Sequence, residues 1–170
     1  MIGQLLTGGG LIFAGKLIED HEAFARLARQ YRPLIEASAK HYSVSPFILA
    51  AVLFKESSFD PSKRGAAGEI GIGQMMPIGL ADLQQNGYSA FQKLTTNDLF
   101  KPENAIPATA AYLQLNRKRT GSIFRSVRAY NVGPDLKDKS GDNGMAYMAD
   151  IVKNALADFL YTTFDNGVTA

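Results

Sequence analysis

Residues 55–77 read KESSFDPSKRGAAGEIGIGQMMP. Glu56 closes an apolar run, Phe47 to Phe54, and is followed by Gly65, Gly68, Gly71 and Gly73 before Gln74, Met75 and Met76. A carboxylate at a helix C-terminus meets the partial negative charge of the last carbonyls, and apolar neighbours disfavour any charge. Both effects raise its pKa, as a general acid working near neutral pH requires. Alone, such a glutamate would read as a surface group at a fraying helix end. The context favours chemistry. A loop of this length without structure of its own is uncommon unless functional, and its glycines would let a bulky ligand come close. Gln74 adds a donor and an acceptor, and Met75 and Met76 add adaptable apolar contact.

Upstream, "VSPFILAAVLFKESS" has Ser45 as N-cap and Pro46 at the first helical position. Its apolar residues run all round, so the helix is expected to be buried, with Phe47, Leu49, Val52 and Leu53 in the core. From Lys16 to Tyr31, Leu17, Phe24, Leu27, Ala28 and Tyr31 recur at helical spacing, and Leu34 and Ile35 extend the stripe past Pro33. Downstream, "MPIGLADLQQNGY" predicts a short helix stopped by Gly87. "KPENAIPATAAYLQLNRKRTG" predicts a longer one between Pro102 and Gly121, with Pro107 disturbing its early turns. "SIFRSVRAYNVGP" predicts a helix capped by Ser122, and helical periodicity returns from Met145 to Phe159. The fold class is all-α, or α+β at most with a tiny irregular sheet near Glu69 to Gln74.

The 170 residues fit one domain with one core. Hydrophobic content of 46% and charged content of 20% are those of a globular chain. A net charge of +2, without an aromatic-basic platform, does not point to nucleic acid. The absence of cysteine excludes disulfides, thiol nucleophiles and thiolate metal sites. His21 and His41 form no HExxH pattern, so no metal and no cofactor is expected. Arg117, Lys118 and Arg119 gather at a predicted helix C-terminus, where cations are favoured anyway.

The stretch Glu56 to Pro77 resembles the signature of the Slt-type lytic transglycosylases, relatives of goose-type lysozyme: E-S-x-F-x-P, then G-A-x-G-L-M-Q, then a Pro. Glu56, Ser57, Phe59, Pro61, Gly68, Gly71, Gln74, Met76 and Pro77 fall in register. "LFKPENAIPATAAYL" (Leu99 to Leu113) is similar to the family's D-P-x-x-N-I-x-x-G-x-x-Y-L helix, and "RAYNVGP" (Arg128 to Pro134) to its A-Y-N-A-G-P segment. "AYMADIV" is similar to the tyrosine-bearing helix that closes the fold. The likeness covers roughly residues 31–160 and implies a lysozyme-like transglycosylase domain there. Residues 1–30 then form an N-terminal extension and first helix, and residues 161–170 a C-terminal tail. The chain departs from the pattern at Gly65 (serine in many members), Gly73 (methionine), Glu69 (alanine) and Asn143 (an acidic residue four positions before Tyr147).

The resemblance implies a peptidoglycan lytic transglycosylase that cleaves the bond between N-acetylmuramic acid and N-acetylglucosamine and leaves 1,6-anhydromuramyl ends. Glu56 would be the catalytic acid and base. Tyr130 would hydrogen-bond and orient Glu56, and Gln74, Met76, Asn131 and Tyr147 would contact substrate. A hydrolytic muramidase on the same fold, or a glycan-binding structural protein, are the alternatives; Glu69 is a candidate second carboxylate. Action is expected at the cell envelope. The first fifteen residues carry no charged side chain and lack a secretory pattern. They are expected to be a flexible or docked extension of a virion-borne (phage) or machine-borne enzyme, the alternative being a mature periplasmic one. No transmembrane span is expected.

Overall fold

A computed structural model describes the backbone of residues 8–133 and 144–165. Among the described residues six α-helices follow one another: α1 (Gly8–Tyr42), α2 (Pro46–Ser57), α3 (Pro77–Gln85), α4 (Pro102–Thr120), α5 (Ile123–Val132) and α6 (Met145–Asp165). Two short 3-10 helices, Ser89–Phe91 and Thr96–Phe100, join α3 to α4 and were not legible in the sequence.

α1 runs without a break through Pro33 to Tyr42, longer than the periodicity suggested. Residues 8–15, expected to be an extension, are helical in it, while residues 1–7 lie outside the described residues. α6 reaches Asp165, so helix enters the stretch expected to be a tail. Among the described residues no helix is long and apolar enough to cross a membrane.

α2 is the central element. Ser45 Oγ accepts from Ile48 N–H at its start, with Pro46 in the first turn. Leu49, Val52 and Leu53 are fully buried, as expected, whereas Phe47 is only half-buried. α1, α4 and α6 pack around it, and α4 in turn holds α3 and α5. Pro107 is accommodated inside α4, which ends where Gly121 takes φ +71° and returns its N–H to Arg117 O.

The irregular strand expected near Glu69 reduces to isolated antiparallel bridges, Arg64 with Ile70 and Ile70 with Met75. They fold residues 58–76 into a compact loop whose Ile70, Ile72 and Met75 are buried in the core. The long glycine-rich segment is therefore ordered by its own apolar side chains, which offset the entropy of fixing it.

Candidate active site

Glu56 sits in the last turn of α2, and the chain leaves that turn abruptly. Ser58 and Phe59 take φ 56° and 62°, both left-handed without being glycine. Three contacts hold this costly turn. Phe59 is buried against Phe24, Phe54 and Tyr31, with ring centroids 5.7, 5.9 and 6.1 Å away. Ser57 Oγ donates to Ile72 O at 2.7 Å, fastening the helix end to the loop. Lys63 Nζ donates to Glu56 O at 2.5 Å, placing a cation on the carbonyl end of the helix.

The Glu56 carboxyl accepts a hydrogen bond of 2.6 Å from the Tyr147 hydroxyl, brought in by α6. The same face of α6 carries Asp150, ion-paired with Lys55, and Ile151, fully buried. Burial raises the pKa of Glu56 above the usual carboxylate range. The Tyr147 hydrogen bond and the charge of Lys63 oppose that rise, and the charge of Glu69 adds to it. Burial also lifts the Tyr147 phenol well above its ordinary value, so it stays a neutral donor.

Glu56 opens on a cavity of about 750 Å³ whose lining includes Glu69, Gln74, Met76, Tyr130 and Asn131. Five of the six residues singled out from the sequence, Glu56 among them, thus meet there. The sixth, Tyr147, is buried behind the carboxylate instead of lining the cavity with the others. Two contacts differ from those expected. The hydroxyl seen hydrogen-bonded to Glu56 is that of Tyr147, while the Tyr130 hydroxyl donates to Gly73 O at 2.7 Å. Gln74 has both amide hydrogens committed to the loop, to Lys63 O at 3.0 Å and Gly71 O at 2.9 Å, so only its amide oxygen is left for a ligand. The two methionines also part ways: Met75 is buried in the core and Met76 is 41% exposed at the cavity's edge.

Two departures from the family pattern have steric counterparts. A Cβ on Gly65 would overlap the Glu69 carboxylate, which lies across that glycine and accepts from Ala67 N–H at 2.9 Å. A Cβ on Gly73 would overlap Thr109 Oγ1 and lie 3.2 Å from the Tyr130 hydroxyl oxygen. Thr109 itself falls where the D-P-x-x-N-I-x-x-G-x-x-Y-L pattern has its glycine. In this chain the two positions are complementary, Gly73 leaving the space that Thr109 Oγ1 occupies. The fourth departure, Asn143, lies outside the described residues.

Sequence reasoning missed Tyr112, Asp82 and Arg119 as cavity residues. Tyr112 was visible as the tyrosine of that same pattern. Arg119 was read only as a helix-end cation, but its guanidinium pairs with Asp82 of α3 in the cavity wall. Among the described residues no three of His, Cys, Asp and Glu converge to hold a metal ion.

The family described as "Transglycosylase SLT domain" matches residues 33–152, well over half of the chain. The chain belongs to this family. Its SLT domain also resembles curated relatives. The membrane-bound lytic murein transglycosylase C of Haemophilus influenzae (strain PittEE) is 29% identical over 126 residues, covering 68% of this chain and 35% of the relative. The protein of the same name from Actinobacillus pleuropneumoniae serotype 5b (strain L20) is 28% identical over 144 residues, covering 79% and 39%. The chain therefore spans little more than a third of the length of these relatives.

Among solved structures, an inactive mutant of the lytic transglycosylase Slt from Pseudomonas aeruginosa superposes with a TM-score of 0.68 at 21% identity, covering 78% of this chain and 24% of that one. The 70 kDa soluble lytic transglycosylase of Escherichia coli gives 0.64 at 22% identity, covering 81% and 24%. The helical, lysozyme-like architecture expected for this SLT domain is thereby shown.

Proposed function

We propose that this SLT domain is a peptidoglycan lytic transglycosylase with Glu56 as its acid and base. The observation that carries the reading is Glu56 itself, a carboxyl raised in pKa by burial, held by Tyr147 and presented to a cavity of about 750 Å³. That volume suits an extended ligand. Membership of the SLT family and the names of the curated relatives support the same activity.

In the reaction, protonated Glu56 gives its proton to the glycosidic oxygen as the bond from C1 of N-acetylmuramic acid breaks. N-acetylglucosamine leaves with a free 4-hydroxyl. The muramyl C6 hydroxyl then attacks C1, and its proton passes to the Glu56 carboxylate, which restores the acid. No water is consumed and a 1,6-anhydro ring closes. One carboxyl serves both steps, which fits a site where Tyr147 keeps a single group in one position. Gln74, through its amide oxygen, with Met76, Tyr130 and Asn131, would meet the sugars. We place the action at the cell envelope, with delivery by a virion or a secretion machine as the finer part of the proposal.

A hydrolytic outcome has one specific observation in its favour: Glu69 lines the same cavity and is a second carboxylate that could activate a water. Its tether to Ala67 N–H within its own turn favours a fixed electrostatic role instead. Mass spectrometry of fragments released from purified peptidoglycan decides. Anhydromuramyl ends are expected, absent with Glu56→Gln. Reducing ends alone would establish the muramidase, and glycan binding without release would establish a binding protein.

A further inference from the structure

The cavity extends well past Glu56. Met76, Ile78, Gly79, Ala81, Asp82 and Gln85 all line it, so one face of α3 forms its wall. At 1.5 Å per residue, the nine steps from Met76 to Gln85 cover about 13 Å. Lys63 and Glu69, in the loop that ends at Met76, act on Glu56 through their charges, which sets the carboxyl nearer the Met76 end of that wall. Asp82 and Gln85 lie at the other end. Room for a linear polymer thus exists along α3, and its far end has its own chemistry.

That chemistry is a forked ion pair. Arg119 of α4 donates from Nη1 to Asp82 Oδ2 at 2.5 Å and from Nη2 to Asp82 Oδ1 at 2.7 Å. Asn86 Nδ2 adds a third hydrogen bond to Oδ1 at 2.9 Å. The Arg119 and Asp82 side chains are 31% and 22% exposed, so the pair is open to the cavity. Tyr112 completes the group and lines the same wall, and its ring packs edge-on against Tyr130, 5.7 Å between centroids.

A guanidinium has five N–H donors, and the pair uses two. Asp82 already accepts three hydrogen bonds. The face offered to a ligand is therefore rich in donors but carries no net charge. Such a face suits neutral oxygens, a hydroxyl or an acetamido carbonyl. A carboxylate would gain from Arg119 but be opposed by Asp82 beside it.

We propose that Asp82, Arg119 and Tyr112 form a distal saccharide subsite that binds neutral glycan oxygens one or more sugar units away from the cleaved bond. This rests on the glycan-cleaving reading given above and adds to it how the strand is gripped, with tighter binding of longer strands as the consequence.

The test measures binding by titration calorimetry in the Glu56→Gln background, with chitin oligosaccharides from the disaccharide to the hexasaccharide. Affinity is expected to rise with length. With Arg119→Gln added, the long oligosaccharides should lose roughly tenfold in affinity, as for a lost hydrogen bond to a charged group, while the disaccharide is unchanged. Arg119→Lys keeps the charge and loses the fork, which secures the comparison if Arg119→Gln folds poorly. It should lose part of the length dependence at an unaltered melting temperature. An equal loss at every length, or none, would overturn the subsite and leave the pair as a clamp between α3 and α4. Binding of an isolated stem peptide that depends on Arg119 would overturn the assignment to neutral oxygens. Failure of the Glu56→Gln protein to bind any oligosaccharide would instead remove the glycan reading, and the subsite with it.

Discussion

The hydroxyl of Tyr147 donates to Glu56 Oε1 across 2.6 Å, joining positions 91 residues apart. The contact brings together the last turn of α2 and the first turn of α6. It opposes the effect of burial on Glu56 by stabilising the carboxylate. Replacing Tyr147 with Phe removes that stabilisation and leaves the ring in place. The Glu56 pKa should rise further, so the alkaline limb of the kcat/KM profile, where the acid loses its proton, should move to higher pH. Activity at the optimum should fall roughly tenfold or more, because the carboxyl loses its positioning partner. A pH-rate profile on purified peptidoglycan checks both.

Glu69 acts in the opposite sense. Its charge raises the Glu56 pKa. Glu69→Gln keeps the shape across Gly65 and removes the charge, so the alkaline limb should move to lower pH. The two variants are expected to bracket the parent profile. If Glu69 instead holds a hydrolytic water, its loss would reduce the yield of reducing ends and leave the limb in place.

Glu56→Gln should reduce turnover by at least roughly 100-fold. Its effect on stability follows from the raised pKa. In the folded state Glu56 keeps its proton to a higher pH than in the unfolded chain. Stability is therefore lost as pH rises from the unfolded pKa through the folded one. The glutamine has no charge to bury, so the variant should melt higher than the parent at neutral and mildly alkaline pH. The difference should shrink as pH falls toward the ordinary carboxylate range. Melting curves across that series give the sign directly.

Gly73→Ala should destabilise the fold by about 1–3 kcal/mol, the usual cost of forcing a methyl into a packed site. The added Cβ would overlap Thr109 Oγ1 and crowd the Tyr130 hydroxyl. Thr109→Ala removes the hydroxyl and leaves its own Cβ 3.4 Å from the new methyl. The double variant should recover much of the loss. Denaturant unfolding of the two single variants and the double variant measures the coupling, and strict additivity would show that the two positions are independent.

Local physics determined the helices and one end of the site. Ser45 and Pro46 start α2, Gly121 ends α4 and Ser122 caps α5, because capping is a matter of a few neighbouring residues. An apolar run closing on Glu56, then glycines and Gln74, marked the carboxyl end of the cavity for the same reason. Tertiary structure decided which tyrosine holds the acid. Tyr130 and Tyr147 are both tyrosines on helices, and nothing within a few residues of either distinguishes them. The distinction comes from how α6 packs on α2, with Ile151 buried in the core and Lys55 paired with Asp150, while Gly73 O captures the Tyr130 hydroxyl. Arg119 differed for a related reason. At a helix C-terminus a cation needs no partner to be favourable, so its sequence carried no sign of Asp82. Only the packing of α3 on α4, positions 37 residues apart, turned a helix-end charge into part of a cavity wall.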